Sequence, residues 1–334
     1  MQAVAELSPI VGTAAACEAL GMSRASFYRL SRPSASDPRT GYVPDWALSP
    51  GERQAVLDVL HSERFVDFAP AEIYATLLDE GAYYSAQYGR CTDCWPRTAK
   101  CASAGTCAGT PSIRDRNCWP TGPRQLWTWD ITKLAGPGRW HHYSLYVIID
   151  VFSRYVPGWL LADRESESLA KRLIEETCRK EGIQLGQLTL HADRGAPMTS
   201  KSVAQLLTDL DVTRSHSRPR NSDDNPYSEA QFKTMKYRPD FPQRFGSLED
   251  GLGFVRRFFR WYNHEHRHTG IAWLTPATVH FDRAEQVLIG RQRVLDAAFD
   301  AHPDRFGGRR PQVPELPKEV WINRPWHASS PHTV

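Results

Sequence analysis

The chain has 334 residues, of which 41% are hydrophobic and 24% are charged, and its formal net charge is +3 at pH 7. This length suggests about two domains with connecting segments, and it allows a sizeable buried core. No apolar run approaches the roughly 20 residues that span a bilayer, and no secretory signal pattern opens the chain. We therefore expect a cytoplasmic protein without membrane contacts, and the small net charge does not by itself predict nucleic-acid binding.

Residues 1–32 predict a helix-turn-helix unit. A short helix over 13–20 is followed by a turn at Gly21 and Met22, and Ser23 caps a second helix over 24–30. As a DNA-binding unit it would present three side chains to a major groove: Arg24, Ser26 and Arg29. Three apolar side chains would hold the helix on the body of the unit: Ala25, Phe27 and Leu30. An ordinary helical hairpin explains the pattern equally well.

A proline-rich linker over 33–49 precedes a second helical unit over 50–84, which we expect to be a second DNA-binding unit. Ser49 and Pro50 begin one helix, and Pro70 opens another that stops at Gly81. The next segment, 85–120, holds five of the seven cysteines: Cys91, Cys94, Cys101, Cys107 and Cys118. Cys91 and Cys94 have the spacing of a zinc ligand pair, which Cys101 and Cys107 could complete, although the segment lacks apolar periodicity.

Residues 121–285 predict an α/β domain. Strands are expected near 126–134, 142–151, 154–162, 187–192 and 211–215, and helices over roughly 165–181, 199–210 and 225–236. Three consecutive strands followed by alternating helices and strands indicate a mixed sheet covered by helices. Residues 286–334 are expected to form a C-terminal tail.

Three acids in this domain predict a metal site. Asp130 lies on an apolar strand, Asp193 follows another strand, and Glu229 lies in the first turn of a helix, with 35 residues between it and Asp193. Carboxylates on two strand ends and one helix can converge on a hard cation such as Mg²⁺, which prefers oxygen ligands. Such a site favours phosphoryl transfer with two metal ions.

Other residues near these acids have simpler explanations. Asp150 ends an apolar run, but the stretch 150–154 reads better as a hairpin between two strands. Asp223 and Asp224 precede the helix of Glu229 and are as plausibly caps or loop residues. His191 could orient water at a metal, but packing beside its strand is favoured.

Basic side chains flank the proposed site. Lys233 and Lys236 lie four and seven positions after Glu229, on the same helix face, so a phosphate at the metal would pass near them. Further basic residues follow on the next helix and its exit: Arg256, Arg257, Arg260, His264, His266, Arg267 and His268. These residues would neutralise phosphates, or they would form a solvated helix face.

Five ordered motifs between residues 124 and 285 resemble the catalytic domain of insertion-sequence-three transposases, within the retroviral-integrase superfamily. The motifs are Leu126 to Lys133, Val147 to Arg154, His191 to Gly195, Glu229 to Lys236, and Trp261 to Asn263 with His266 to His268. The resemblance implies a ribonuclease-H-like integrase core preceded by small all-α helix-turn-helix units. It also implies that Asp130, Asp193 and Glu229 form the D,D(35)E triad and that Lys236 contacts DNA.

The resemblance further implies a DNA transposase that cleaves strands and then transfers them with two Mg²⁺ ions, for which Mn²⁺ can substitute. Its partners would be terminal inverted repeats and target DNA, bound by a multimer of the chain. Two alternatives stay open. One is a metal-dependent nuclease that only hydrolyses, and the other is a catalytically inert DNA-binding protein or regulator.

The family normally has a second recognition helix with a Tyr-Arg-Leu-Leu core where this chain has its cysteine-rich segment. Codons for Leu-Tyr-Arg-Leu-Leu-Ala, read one base later, can encode Cys-Thr-Asp-Cys-Trp-Pro, which is the sequence from Cys91 to Pro96. We therefore interpret 85–120 as an out-of-frame segment rather than a zinc site. The helical unit over 50–84 would then be truncated, and this copy could be defective.

Overall fold

The computed structural model describes residues 2–31, 47–84, 120–192, 201–216 and 225–322. The chain divides into two compact units, 1–47 and 48–334. The segment read as out of frame, including the candidate zinc ligands, lies outside the described residues except for Pro120. No helix in the described ranges has the length and apolar character needed to cross a membrane.

The described part of the first unit, residues 2–31 and 47, contains three helices. They are α1 (Gln2–Val11), α2 (Thr13–Ala19) and α3 (Arg24–Ser31). The Ser26 backbone N–H donates to Ser23 Oγ at 3.1 Å, so the predicted cap is confirmed. The predicted contribution of Ala25 to packing is wrong, because Ala25 is exposed while Phe27 packs with Val4, which α1 supplies.

Two helices open the second unit, α4 (Pro50–Leu60) and α5 (Pro70–Asp79). Ser49 and Glu52 form a reciprocal capping box at the start of α4, which satisfies two backbone donors that the helix leaves free. Val56 of α4 and Ile73 of α5 are buried in one apolar cluster. Both predicted helices of this unit are confirmed.

A five-stranded mixed sheet forms the centre of the second unit. Its strands are β1 (Leu126–Ala135), β2 (His142–Asp150), β3 (Gly158–Ala162), β4 (Thr189–Ala192) and β5 (Thr213–His216). Their order is β3-β2-β1-β4-β5, with β1, β2 and β3 antiparallel and β1, β4 and β5 parallel. The predicted mixed sheet is confirmed. The third strand begins later than predicted, because the chain turns at Arg154, whose φ is 65°.

Helices cover both faces of this sheet. Trp127 and Trp129 of β1 face α6 (Glu167–Glu181) and α7 (Lys201–Asp209). Leu134 and Val147 instead face α8 (Pro226–Lys236) and α9 (Leu248–His264). Because side chains alternate along a strand, Thr128, Asp130 and Thr132 share the face of Leu134.

The C-terminal part of the chain adds two helices, α10 (Pro276–His280) and α11 (Ala284–Ala301). The proposed boundary at residue 286 therefore falls inside α11. Arg291 of α11 is only 2% exposed and donates to Asp79 of α5 at 2.5 Å and 3.1 Å. This part of the expected tail thus packs on α5 as a buried element of the second unit.

Candidate active site

Helix α8 is fixed to strand β1 by a buried cluster of hydroxyl and amide groups. Thr128 Oγ1 donates to Asn225 Oδ1 at 2.5 Å and lies 2.8 Å from Ser228 Oγ. All three side chains are at most 1% exposed. Such buried polar pairs are directional, so they set the rotation of the first turn of α8 relative to β1.

The last turn of α8 is attached to the same strand face. Lys236 Nζ donates to Thr132 Oγ1 at 2.8 Å. Partial burial lowers the pKa of Lys236, and the negative charge of Asp130 opposes that shift. Lys236 is therefore electrostatically coupled to the first predicted metal ligand.

Two of the three predicted acids lie on these packed elements. Asp130 is half-buried on β1, and its Oδ1 accepts the Ile131 backbone N–H at 2.7 Å. Glu229 is half-buried in the first turn of α8, directly after Ser228. The structure thus places Asp130 and Glu229 on neighbouring surfaces of β1 and α8.

The third acid, Asp193, lies outside the described residues. Strand β4 ends one residue earlier at Ala192, which pairs in parallel with Trp129, the residue before Asp130. Within the described ranges, no three Asp, Glu, His or Cys side chains group as ligands for one metal ion. The two described carboxylates nevertheless offer only oxygen donors, which suits a hard divalent cation.

Asp150 has a structural role. Its carboxylate is fully buried and accepts four hydrogen bonds, from Arg124 N, Trp127 Nε1, Ser153 N and Ser153 Oγ. Asp150 N also bonds to Tyr155 O at 2.8 Å, which closes the predicted turn after β2. With these donors around it, Asp150 stabilises the turn rather than offering oxygens to a ligand.

His191 is 5% exposed, and its Nδ1 lies 3.1 Å from Ser215 Oγ on β5. This contact agrees with the favoured prediction that His191 packs beside its strand. Asp223 and Asp224, the alternative oxygen donors, lie outside the described residues.

The basic residues on and after α9 divide into two groups. Arg256, Arg257, Arg260 and His264 are exposed. By contrast, His266 Nδ1 lies 3.0 Å from Glu72 Oε1, and Arg267 Nη1 lies 2.6 Å from Asp79 Oδ2, both on α5. The prediction that His266 and Arg267 face DNA is therefore wrong, since α5 covers them. His268 is also largely buried, and burial holds its pKa well below the usual value.

The remaining predicted DNA contacts are more scattered. Lys233 is exposed on α8, and Arg24 is exposed at the first position of α3. Ser26 is half-buried, and its Oγ accepts from Ser23 Oγ at 2.9 Å, which leaves it less free to contact a base. The side chain of Arg29 lies outside the described part of the chain.

Sequence reasoning missed Thr128, Thr132, Asn225 and Ser228. A signal was present, because Thr128 and Thr132 flank Asp130 at two-residue spacing and so share its strand face. Asn225 and Ser228 likewise lie just before Glu229. Which hydroxyl meets which amide depends on the packing of α8 on β1, and a single sequence does not specify that packing.

Two family models describing an integrase core domain match this chain, one over residues 120–222 and the other over 210–276. These ranges include β1 to β5, α8 and α9. They therefore contain every element that carries the predicted acids.

Transposases are among the similar proteins. The transposase for insertion sequence element IS904 of Lactococcus lactis subsp. lactis (strain IL1403) is 28% identical over 173 residues, covering 52% of this chain and 67% of that protein. Transposase InsF for insertion sequence IS3A of Escherichia coli (strain K12) is 26% identical over 166 residues, covering 49% of this chain and 57% of that protein. The similarity therefore spans between about half and two thirds of each relative.

Among solved structures, the HTLV-2 integrase catalytic core domain in complex with magnesium aligns with a TM-score of 0.35 and 16% identity. The alignment covers 48% of this chain and 97% of that chain. The chain is thus similar to transposases of insertion sequences, and its matches to an integrase core domain lie on the part that contains the mixed α/β sheet.

Proposed function

We propose that this protein is a DNA transposase of the DDE type, in which Asp130, Asp193 and Glu229 carry the reaction. The observation that supports this most directly is the docking of α8 on β1 through Thr128, Asn225 and Ser228, because it brings Glu229 to the strand of Asp130. Asp193 follows Ala192 in the sequence as Asp130 follows Trp129, and Ala192 pairs with Trp129. This pairing supports Asp193 as the third acid.

The three carboxylates would hold two Mg²⁺ ions, which Mn²⁺ could replace. When bound, such ions lower the pKa of an attacking water or hydroxyl and stabilise charge on the leaving oxygen. The carboxylates would hold the ions beside the scissile phosphate. Lys236, held by Thr132 next to Asp130, would position that phosphate by charge and hydrogen bonding. No covalent enzyme intermediate is expected, because water and then a DNA 3′-hydroxyl act as nucleophiles.

The DNA partners would be the terminal inverted repeats of an element and a target duplex, engaged by a multimer of the chain. Lys233 and Lys236 would contact the sugar-phosphate backbone near the acids. The α2–α3 pair would read a major groove, with Arg24, Ser26 and Arg29 facing the bases. Exposure of Arg24 supports this arrangement, and the Ser23 contact of Ser26 makes Ser26 the weakest of the three.

The test uses labelled element ends and purified full-length protein with Mg²⁺ or Mn²⁺. Asp130→Asn, Asp193→Asn and Glu229→Gln each remove a negative ligand while nearly preserving shape. We expect cleavage to fall by at least about 100-fold, since interactions with developing charge carry effects of this size. Binding of the ends should persist. Glu175→Gln, at an exposed position on α6, is the matched control and should retain parental cleavage.

The products separate the three functional candidates. Joined strands indicate a transposase, cleaved but unjoined strands indicate a nuclease, and bound but intact DNA indicates an inert DNA-binding protein. Cleavage that survives any one of the three substitutions would remove that residue from the triad.

A further inference from the structure

A groove of about 400 Å³ lies at the edge of the sheet, and neither Asp130 nor Glu229 is part of its lining. It is lined by the start of β3, by the last turns of α6 and by one side of α9. Trp159 and Phe259 stack in its lining with ring centroids 5.6 Å apart. The strand comes very close to α6, because a Cβ added at Gly158 would lie 2.1 Å from Thr177 Oγ1.

The groove carries uncompensated positive charge. Lys180, Arg256 and Arg260 line it, and Glu176 is the one carboxylate in the lining. Glu176 Oε1 lies 3.8 Å from Arg172 Nε on its own helix. Among the described residues, neither Arg256 nor Arg260 forms an ion pair with a carboxylate. Arg256 and Arg260 lie one helical turn apart on the exposed side of α9, so both guanidinium groups can contact one anionic chain.

Lys180 has a fixed position in this wall. Its Nζ donates to Pro157 O at 2.9 Å, which holds the ammonium group beside the first residues of β3. An ammonium group can donate three hydrogen bonds, so two N–H groups remain for a ligand. A cation held in this way loses less side-chain entropy on binding than a free lysine.

The sheet register gives the distance from this groove to Asp130. Asp130 pairs with Val147, and Val147 pairs with Trp159, so the three residues form one row across β1, β2 and β3. Neighbouring strands lie about 4.8 Å apart, so the backbone of Trp159 is about 10 Å from that of Asp130. Helix α8 packs on β1, whereas α9 contacts β3 and lines the groove. The groove is therefore distinct from the candidate active site.

We propose that this groove binds the sugar-phosphate backbone of a DNA segment other than the one at Asp130. The inference rests on the proposed function for the identity of the polyanion. The cationic side chains of its lining, Lys180, Arg256 and Arg260, are exposed to solvent, so an anionic polymer can reach them. Arginine binds phosphate oxygens with two parallel hydrogen bonds, and two such residues one turn apart suit a phosphodiester chain.

The experiment measures binding of full-length protein to a duplex of unrelated sequence in EDTA, as a function of salt. Each phosphate contact contributes about 0.9 to the slope of log Kobs against log salt concentration. The double variant Arg256→Ala/Arg260→Ala should therefore lower the slope by about 1.8. Arg256→Lys/Arg260→Lys keeps both charges and should retain most of the parental slope.

The matched control is Arg293→Ala/Arg309→Ala, which removes two exposed arginines from the C-terminal part of the second unit and should leave the slope unchanged. An equal slope for the groove variant and this control overturns the proposal. The proposal is also overturned if sedimentation shows that the groove variant changes only the number of subunits, because the groove would then be a protein interface. Asp130→Asn is expected to bind as the parent does in EDTA. If cleavage assays fail while the groove variant loses slope, the groove assignment stands and the transposase assignment falls.

Discussion

At the scale of single residues, Lys236 links the proposed DNA contact to the proposed metal ligands. Its Nζ is held by Thr132, on the strand face that carries Asp130. Burial pulls the pKa of Lys236 down, and the charge of Asp130 pulls it up. The ammonium form that would contact phosphate thus depends partly on the carboxylate that would hold a metal ion.

Asp130→Asn should therefore lower the pKa of Lys236 further, because the substitution removes the charge that favours the ammonium form while burial remains. The Lys236 proton would then be lost at a lower pH than in the parent. NMR titration of labelled lysine side chains measures this shift, with the exposed Lys233 as the internal control. A Lys236 pKa that stays constant or rises in the variant would contradict the coupling.

At the scale of elements, the proposed active site depends on the contact between β1 and α8. Thr128→Val keeps the shape of the side chain but leaves Asn225 Oδ1 and Ser228 Oγ buried without their shared partner. Burial of unsatisfied polar groups costs about 1–3 kcal/mol, so the free energy of unfolding should fall by that amount. Cleavage should also fall, because the first turn of α8 carries Glu229.

Thr128→Ser retains the hydroxyl and is the control for this substitution. Urea denaturation and cleavage assays on both variants separate the loss of the hydroxyl from a change in packing. If Thr128→Val matched Thr128→Ser in stability and cleavage, the hydroxyl would not be what aligns α8.

The second element-scale contact joins α5 to the C-terminal helices. Asp79 receives Arg291, which is 2% exposed, and Arg267, whose side chain is 13% exposed. Asp79→Asn leaves two guanidinium groups without their carboxylate. Loss of one partner of a buried ion pair costs about 3–5 kcal/mol, and we expect destabilisation near the lower value because Asp79 is itself 21% exposed. Chemical denaturation measures the loss, with Asp67→Asn at an exposed site as the control.

The sequence predicted the elements of the second unit better than the contacts between them. Apolar periodicity predicted β1, α6 and α8 to within about two residues, because one face of each element is buried. The Thr128–Asn225 bond joins residues 97 positions apart, and local patterns do not encode such partners. Arg267 was misassigned for the same reason. From the sequence alone, a basic residue after a helix is easily interpreted as a phosphate contact. The structure shows that its partner is Asp79 on α5.

At the scale of the whole molecule, one buried polar network ties together four parts of the second unit. Glu181 at the end of α6 accepts from Arg124, which precedes β1, and lies 2.9 Å from Nε2 of His280 on α10. Nδ1 of His280 lies 3.1 Å from Ser153 Oγ, which in turn donates to Asp150. The network therefore connects the turn after β2 to the end of α6 and to α10, and its loss would destabilise this end of the sheet.

Burial raises the pKa of Glu181, but the hydrogen bonds and charges of His280 and Arg124 outweigh burial, so that the pKa lies below its usual value. A carboxyl with a depressed pKa contributes stability that is fully present above its unfolded pKa of about 4.3 and is lost as pH falls through the folded pKa. We expect the free energy of unfolding to fall on acidification from about pH 5 to about pH 3.

Glu181→Gln removes the titrating group, so the unfolding free energy of this variant should be lower at pH 7 and should depend less on pH between these two values. Urea denaturation across that range tests this, with exposed Glu175→Gln expected to keep the parental slope. If the unfolding free energy of Glu181→Gln depended on pH as that of the parent does, other carboxyl groups would control acid unfolding and this network would not.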